Sequence, residues 1–153
     1  MKKSTVLIVA ISLIAVLFCS LWVQAITGYR ADMEQRCQYY AEQAAGGLSS
    51  YEKLKGVNDE SYIGQYWGSV ANFYAFKDTL YSLADSGSRN EALYKECDVV
   101  YDHMLLAPEK VFAHMDEVLA AMEFLGKDYT SPDAGRAMSQ LAYNLQYDAW
   151  EIE

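Results

Sequence analysis

The chain has 153 residues, of which 52% are apolar and 14% aromatic, so it can form a folded domain and is not a disordered chain. Three cysteines and two prolines exclude a disulfide scaffold and a proline-rich linker. The formal net charge of -9 argues against a nucleic-acid-binding protein, because affinity for phosphate requires clustered Lys and Arg, and no basic run exists beyond Lys2 and Lys3.

The first element along the chain is an apolar segment. Residues 4–29 carry no charge, and only Ser12, Ser20 and Gln24 interrupt the apolar run over residues 6–26. A helix of about 20 such residues spans the hydrocarbon core of a bilayer. The sequence therefore predicts one N-terminal transmembrane helix.

Residues 1–26 are predicted to be an uncleaved membrane anchor and residues 27–153 an extracytoplasmic domain. Two lysines precede the apolar run, which keeps the N-terminus cytoplasmic and makes the chain a single-pass protein of the cell membrane, in contact with lipid through residues 4–26. A cleaved signal peptide is the alternative, with a cut after Ala25 that would secrete the domain. Signal-peptide apolar regions usually run for ~7–15 residues, so this longer run favours the anchor.

Residues 27–153 are predicted to be helical throughout. They contain only six Val, two Ile and three Thr, which are too few strand formers for a sheet. Turn clusters divide them at Gly56–Asp59, Asp85–Ser88 and Gly126–Ser131. Amphipathic helices with short connections are usually antiparallel neighbours. The predicted fold is all-α, an up-and-down antiparallel bundle of about four helices that follows the transmembrane helix.

The first two helices of this bundle are expected at about 28–55 and about 60–85. In the first, apolar or small residues recur every three or four positions, at Tyr29, Met33, Cys37, Tyr40, Ala44, Leu48 and Tyr51. The second has two apolar seams, one formed by Tyr62, Tyr66, Phe73, Phe76, Leu80 and Leu83, the other by Ile63, Trp67, Val70, Tyr74 and Tyr81. Such a wide apolar face is predicted to be largely buried.

The third helix is predicted to begin at a capping box formed by Ser88 and Glu91. Its apolar positions keep their phase across Pro108, at Leu93, Cys97, Val100, Met104, Val111, Met115, Val118, Met122 and Leu125. We therefore predict one long helix with a kink at Pro108, because Ala107 would be a poor N-cap for a new helix. Two shorter helices broken at Leu106-Ala107 are the alternative.

The fourth helix is predicted to begin with Ser131 as its cap and Pro132 at the first helical position. Its core positions are Ala134, Met138, Leu141, Leu145, Ala149 and Ile152. A second stripe lies beside them, formed by Tyr143, Tyr147 and Trp150. If the bundle leaves this aromatic stripe uncovered, it would be a docking face, and we predict another envelope protein as the partner.

Glycines interrupt both of the first two helices, at Gly46, Gly47, Gly64 and Gly68. Each costs ~1 kcal/mol of helix stability relative to Ala. If the chain turns near residue 57, Gly46 faces Gly68, which predicts a close helix–helix approach that a leucine at Gly68 would disrupt. The functional interpretation is a concavity walled by aromatic side chains, which could hold a flat or apolar small molecule. The candidate ligand-binding residues are Tyr62, Tyr66, Trp67, Gly46 and Gly68.

Motifs for catalysis or metal binding are absent from the sequence. It has no Glu-x-x-His, His-Glu-x-x-His, Gly-x-Ser-x-Gly, phosphate-binding glycine loop or Cys-x-x-Cys. His103 and His114 would lie about 16 Å apart along one helix, which is too far for them to share a metal ion. We predict that the protein is not an enzyme and uses neither a metal nor a cofactor.

Cys37 and Cys97 both occupy core positions, at similar heights in the predicted bundle. An exported domain permits a disulfide, but the two Cα atoms would have to lie within about 7 Å. The first and third helices are diagonal in a square bundle, which would keep the cysteines apart. Two buried free thiols are therefore predicted, with a Cys37–Cys97 disulfide as the alternative.

Two functions are compatible with these features. The first hypothesis is a membrane-anchored extracytoplasmic interaction module, which is not catalytic and presents an acidic, tyrosine-rich face to an envelope protein. The second is a small-molecule-binding, sensor-like domain with an aromatic pocket near the first helix pair. A pocket of several hundred cubic ångströms beside Tyr62, Tyr66 and Trp67 would favour the second hypothesis. A fully packed bundle with exposed Tyr147 and Trp150 would favour the first.

Overall fold

The computed structural model describes residues 3–57 and 60–150, and the regular elements in these ranges are all helices. They are α1 Lys3–Gly56, α2 Tyr62–Ser82, α3 Arg89–Leu106, α4 Pro108–Ala113, α5 Met115–Lys127 and α6 Pro132–Tyr147. The all-α prediction is confirmed. The predicted number of about four helices after the apolar segment is wrong, because the third predicted helix is divided into α3, α4 and α5.

The chain divides into two compact units, the first ending at Met33 and the second beginning at Glu34. In the first unit the large apolar side chains between residues 11 and 26 are exposed, with Phe18 and Trp22 each 70% exposed. This part of α1 is long and apolar enough to cross a membrane, and a signal sequence has the same character.

Serine caps begin two helices of the second unit, as the sequence predicted. The Ser88 hydroxyl accepts a hydrogen bond from the Glu91 amide at 3.2 Å, and the Glu91 carboxylate accepts one from the Gly87 amide at 2.5 Å. At α6, the Ser131 hydroxyl accepts a hydrogen bond from the Ala134 amide at 3.1 Å. The two serine hydroxyls satisfy amide groups that have no carbonyl partner in the first turn of a helix, and the Glu91 carboxylate binds the amide of the residue before the cap.

The end of α1 and the whole of α2 form an antiparallel pair. The Ser69 hydroxyl donates to the Ala44 carbonyl at 2.6 Å, and the Cys37 thiol faces the Phe76 carbonyl at 3.9 Å. Residue numbers therefore fall along one helix as they rise along the other, in the register predicted from a turn near residue 57.

The other helices complete a core around this pair. Helix α3 packs against both α2 and α6, and α6 packs against α5. Helix α5 returns to α1, where the Gln38 side chain donates to the Gly126 carbonyl at 2.5 Å. The predicted core positions that are buried include Cys37, Ala44, Leu48, Phe73, Phe76, Leu80, Cys97, Val100, Met104, Val111, Val118, Met122, Leu125, Met138 and Leu145.

The predicted kink at Pro108 is wrong, and the alternative of a break at Leu106-Ala107 is right. Helix α3 ends at Leu106, Ala107 has a non-helical backbone, and Pro108 begins α4. A second break follows at His114, before α5. Proline provides no amide hydrogen and its ring clashes with the carbonyl four residues earlier, so the helix stops there. The apolar phase survives both breaks, which is why the sequence pattern resembled one helix.

The prediction that both seams of α2 are largely buried is also wrong. The first seam packs into the core, but the second leaves side chains half exposed, among them Ile63 at 52%, Tyr74 at 50% and Tyr81 at 63%. Helices α1 and α3 pack against α2 and cover most of its first seam. Of the second seam they bury Val70, which is 4% exposed, and leave its larger side chains in contact with solvent. The uncovered seam supplies the exposed wall of the candidate site.

Candidate functional site

A groove lined with aromatic rings opens beside the turn between α1 and α2. It has a volume of about 380 Å³. Its apolar lining is Tyr51, Tyr62, Ile63, Tyr66, Trp67, Pro108 and Phe112, and Lys55 lies at its rim. We call it the aromatic groove. It contains all three aromatic residues that the sequence nominated for a ligand, Tyr62, Tyr66 and Trp67.

The rings of the aromatic groove contact one another. Tyr51 stacks on Phe112, with ring centroids 5.5 Å apart and planes inclined by 12°. Tyr66 lies 4.8 Å from Phe112 and 5.3 Å from Trp67 between centroids. Because Tyr51 and Tyr66 are buried while Trp67 is 46% exposed, the groove has a fixed floor and an accessible wall.

A hydrogen bond across the helix break holds the floor of the groove in place. The Tyr66 hydroxyl donates to the buried Met104 carbonyl at 2.7 Å. In an uninterrupted helix this carbonyl would accept from the amide of residue 108, but that residue is proline and has no amide hydrogen. The tyrosine hydroxyl therefore satisfies an acceptor that the proline leaves unsatisfied.

Burial favours the neutral form of two phenols of the groove, Tyr51 and Tyr66. Desolvation raises the pKa of Tyr66, and the nearby acidic groups of Tyr51 and Glu109 raise it further. Desolvation also raises the pKa of Tyr51, partly opposed by the positive charge of Lys55. The site thus offers neutral aromatic surfaces with one ammonium group at the edge.

The glycine part of the predicted site lies elsewhere. Gly46 and Gly68 line a separate, polar groove of about 350 Å³ between α1 and α2. A Cβ atom added to either of them would meet nothing within 4 Å, so the predicted close approach does not occur at these two residues. It occurs at Gly47, where an added Cβ would lie 2.9 Å from the Ser69 Cβ and 3.2 Å from the Ser69 Cα.

The proposed partner stripe on α6 is exposed only in part. Tyr143 and Tyr147 are 54% and 63% exposed, and their ring centroids are 5.0 Å apart. Trp150 turns away from this pair and stacks on His114, with centroids 3.6 Å apart and planes inclined by 5°. The structure therefore provides a pair of exposed tyrosines and not the predicted three-residue stripe.

Three tyrosines on α2 and α3, Tyr74, Tyr94 and Tyr101, surround a lysine. Lys77 lies 4.6 Å from the centroid of the Tyr101 ring and donates a hydrogen bond to Asp98 at 2.5 Å. Desolvation lowers the pKa of Lys77, but the hydrogen bond and charge of Asp98 outweigh it, so the pKa is raised overall. The surrounding ring pairs are Tyr74 with Tyr101 and Tyr81 with Tyr94. This aromatic cluster is filled by the protein's own cation.

The two histidines make separate contacts. His103 Nδ1 lies 2.9 Å from the Val99 carbonyl, and His114 Nδ1 lies 3.8 Å from Glu117. No group of three or more His, Cys, Asp or Glu that could hold a metal ion occurs in the described ranges.

Cys37 and Cys97 are free thiols with no exposed surface. Desolvation raises the pKa of Cys37 to about 12, opposed by a hydrogen bond with Tyr129. Desolvation raises the pKa of Cys97 well above its ordinary value, and the neighbouring Cys37 raises it further. Both thiols therefore stay protonated in the folded protein through pH values at which an unfolded chain would ionise.

These thiols should make the folded protein lose stability in alkali. An unfolded thiol ionises near pH 8.5, so above this pH the unfolded state binds fewer protons than the folded state. The free energy of unfolding should fall by about 1.4 kcal/mol per pH unit for each thiol, until the folded pKa is reached. Urea unfolding under reducing conditions, compared at about pH 8 and about pH 10, measures this slope. Cys37→Ala should reduce this fall in the free energy of unfolding with pH, whereas Cys19→Ala should not. Equal slopes in both variants would show that the buried thiol of Cys37 does not cause the pH dependence.

Comparisons with protein-family models, with curated proteins and with solved structures give no match for this chain. The candidate function therefore rests on the sites themselves. Sequence reasoning missed Tyr51, Lys55, Ile63, Pro108 and Phe112 as groove residues. Tyr51 was placed in the core seam of its helix, and Phe112 reaches the groove only because the helix breaks at Ala107.

Proposed function

We propose that this chain is a membrane-attached, extracytoplasmic domain without catalytic activity, which binds a flat, apolar small molecule in the aromatic groove. The observation that carries the proposal is the groove itself, in which Tyr62, Tyr66 and Trp67 line a volume of about 380 Å³. This volume lies within the range of small-molecule sites, ~300–1,000 Å³, which are mostly apolar and aromatic.

The exposed wall of the groove supports binding. Ile63 and Trp67 are about half exposed to water, at 52% and 46%. A ligand that covered them would remove apolar surface from water, which stabilises a complex by roughly 25 cal/mol per Å². The floor contributes preorganisation, because the Tyr66 hydrogen bond to Met104 fixes one ring before any ligand arrives.

Membrane attachment is the second part of the proposal. The apolar side chains between residues 11 and 26 are exposed, and lipid would cover them. Two lysines at the start of the chain favour a cytoplasmic N-terminus, which would carry the helical domain to the other side. Cleavage after Ala25 would release the same domain as a secreted protein.

The proposal is tested by titrating the full-length protein in lipid nanodiscs with naphthalene-2-carboxamide, a flat and uncharged probe. We expect the indole N–H resonance of Trp67 to shift saturably, while those of Trp22 and Trp150 stay in place. Ile63→Asp should weaken binding roughly tenfold or more, because the ligand would have to desolvate a carboxylate. This substitution also puts an acid in the first turn of α2, where it does not destabilise the helix.

Leu106→Asp is the matched control. Leu106 is apolar and 76% exposed, but it does not line the aromatic groove. The same charge introduced there should leave the titration unchanged. If the Trp67 resonance does not move in the parent protein, or moves equally in the Ile63→Asp variant, the groove is not the binding site.

Docking to an envelope protein is the second candidate function. It is favoured by the exposed pair Tyr143 and Tyr147 on α6. Tyrosine is enriched at protein interfaces because it combines apolar area with a hydroxyl group that can remain hydrated. Copurification from membranes discriminates between the two functions, since it recovers a partner protein in one case and a small molecule in the other.

A further inference from the structure

We propose that the ligand of the aromatic groove carries a negatively charged group, and that Lys55 is its counter-ion. This inference rests on the proposed binding function and specifies the class of ligand, an aromatic or flat apolar molecule with a carboxylate or similar anion. Among the described residues that line the groove, Lys55 alone has an ionised side chain. The remainder of the lining offers ring faces and aliphatic surface.

The position of Lys55 suits this role. Its ammonium nitrogen lies 5.5 Å from the centroid of the Tyr51 ring, so the charge is close to the aromatic floor, while the side chain remains 46% exposed to solvent. A flat ligand stacked along the same floor would bring an acidic substituent toward this nitrogen. The ammonium group is a point charge with three hydrogen-bond donors, so it can donate to an anion that approaches from any of several directions.

Lys55 has one acidic neighbour on its own helix, and this contact leaves room for a ligand. The distance from the ammonium nitrogen to Glu52 Oε1 is 3.6 Å; both side chains are partly exposed, but this oxygen atom is buried and accepts no hydrogen bond. This distance exceeds the 2.7–3.2 Å typical of an N–H···O hydrogen bond. A ligand carboxylate at hydrogen-bonding distance would therefore be the closer partner of Lys55.

The net negative charge of the chain opposes the binding of anions. With 21 acidic and 12 basic side chains, the protein as a whole repels anions and attracts cations. Glu109 also lies close enough to raise the pKa of Tyr66. A preference for anionic ligands would thus oppose the general field and would require a local source of positive charge, which Lys55 supplies.

The test compares two probes of the same ring system and nearly the same size. Naphthalene-2-carboxylate is an anion, and naphthalene-2-carboxamide is neutral. Each is titrated into the full-length protein in nanodiscs, with the indole resonance of Trp67 as the readout. We expect the carboxylate to bind roughly fivefold more tightly than the amide, as for a partly exposed ion pair.

Lys55→Met should abolish this preference, so that the ratio of the dissociation constants of the two probes becomes about one, because the charge that distinguishes the carboxylate from the amide is removed. Lys53→Met is the matched control, because it removes the same charge from an exposed position of the same helix outside the groove, and should keep the preference. Equal binding of the two probes by the parent protein would overturn the anionic ligand, and so would loss of the preference in both variants or in neither. In each of these cases binding of the amide would still support the groove, whereas absence of binding by either probe would contradict the groove itself.

Discussion

Gly47→Leu should destabilise the folded protein by about 3 kcal/mol or more. A Cβ atom at this position would lie 2.9 Å from the Ser69 Cβ, 3.2 Å from the Ser69 Cα and 3.3 Å from the Gln65 carbonyl oxygen. Two of these atoms belong to the backbone of α2 and cannot move without moving the helix. The two helices would have to separate, which would also strain the hydrogen bond from Ser69 to Ala44. Urea unfolding of the full-length protein in detergent micelles measures the loss.

Gly46→Leu is the matched control for this experiment, since it places the same side chain one residue earlier. A Cβ at Gly46 meets nothing within 4 Å, and the side chain would enter the polar groove. Leucine has a higher helix propensity than glycine, so this variant should gain up to ~1 kcal/mol. Gly68→Leu should behave in the same way. Equal destabilisation by the Gly46 and Gly47 substitutions would show that the helices do not cross as described.

Tyr66→Phe should destabilise the protein by ~1–3 kcal/mol, because it leaves the buried Met104 carbonyl without a donor. In the background of Pro108→Ala the same substitution should cost less, because an amide hydrogen becomes available at residue 108. A double-mutant cycle of these two substitutions, followed by urea unfolding, measures the coupling.

Tyr74→Phe serves as the control for loss of a hydroxyl. Tyr74 is 50% exposed, so its hydroxyl can be hydrated, and the substitution should change stability by less than ~0.5 kcal/mol. If Tyr66→Phe cost the same with and without Pro108, the tyrosine would not be replacing the amide that proline lacks. The coupling also tests how the floor of the aromatic groove is held in place, because Tyr66 and Pro108 both line the groove.

The helices, two of their starting points and most of their buried positions could be predicted from the sequence alone. The scarcity of β-branched residues indicated helices, and the hydroxyls of Ser88 and Ser131 marked where two of them begin. The period of the apolar residues identified the buried positions of α3, α5 and α6. These features depend on neighbours within a few positions in the chain, so they can be read without knowing how the helices pack.

Tertiary packing decided what the sequence left open. The pattern could not distinguish a kink at Pro108 from a break, because the apolar phase is the same in both cases. Both seams of α2 consist of aliphatic and aromatic residues, and the positions of α1 and α3 determine that Phe73 is buried while Tyr74 is exposed. The crossing of α1 and α2 uses Gly47, one residue from the glycine that the register had indicated.

The candidate site also has a part that the sequence predicted and a part that depends on how the helices pack. The sequence by itself predicted Tyr62, Tyr66 and Trp67 as candidates, because they lie within about one and a half turns of a single helix. Tyr51, Lys55 and Phe112 come from other helices, and no spacing relates them to the first three. They meet because α3 ends at Leu106 and the next helix, α4, which begins at Pro108, places Phe112 against Tyr51 of α1. The presence of aromatic residues was thus determined by the sequence, whereas their assembly into a groove with a cation at its rim was decided by the tertiary structure.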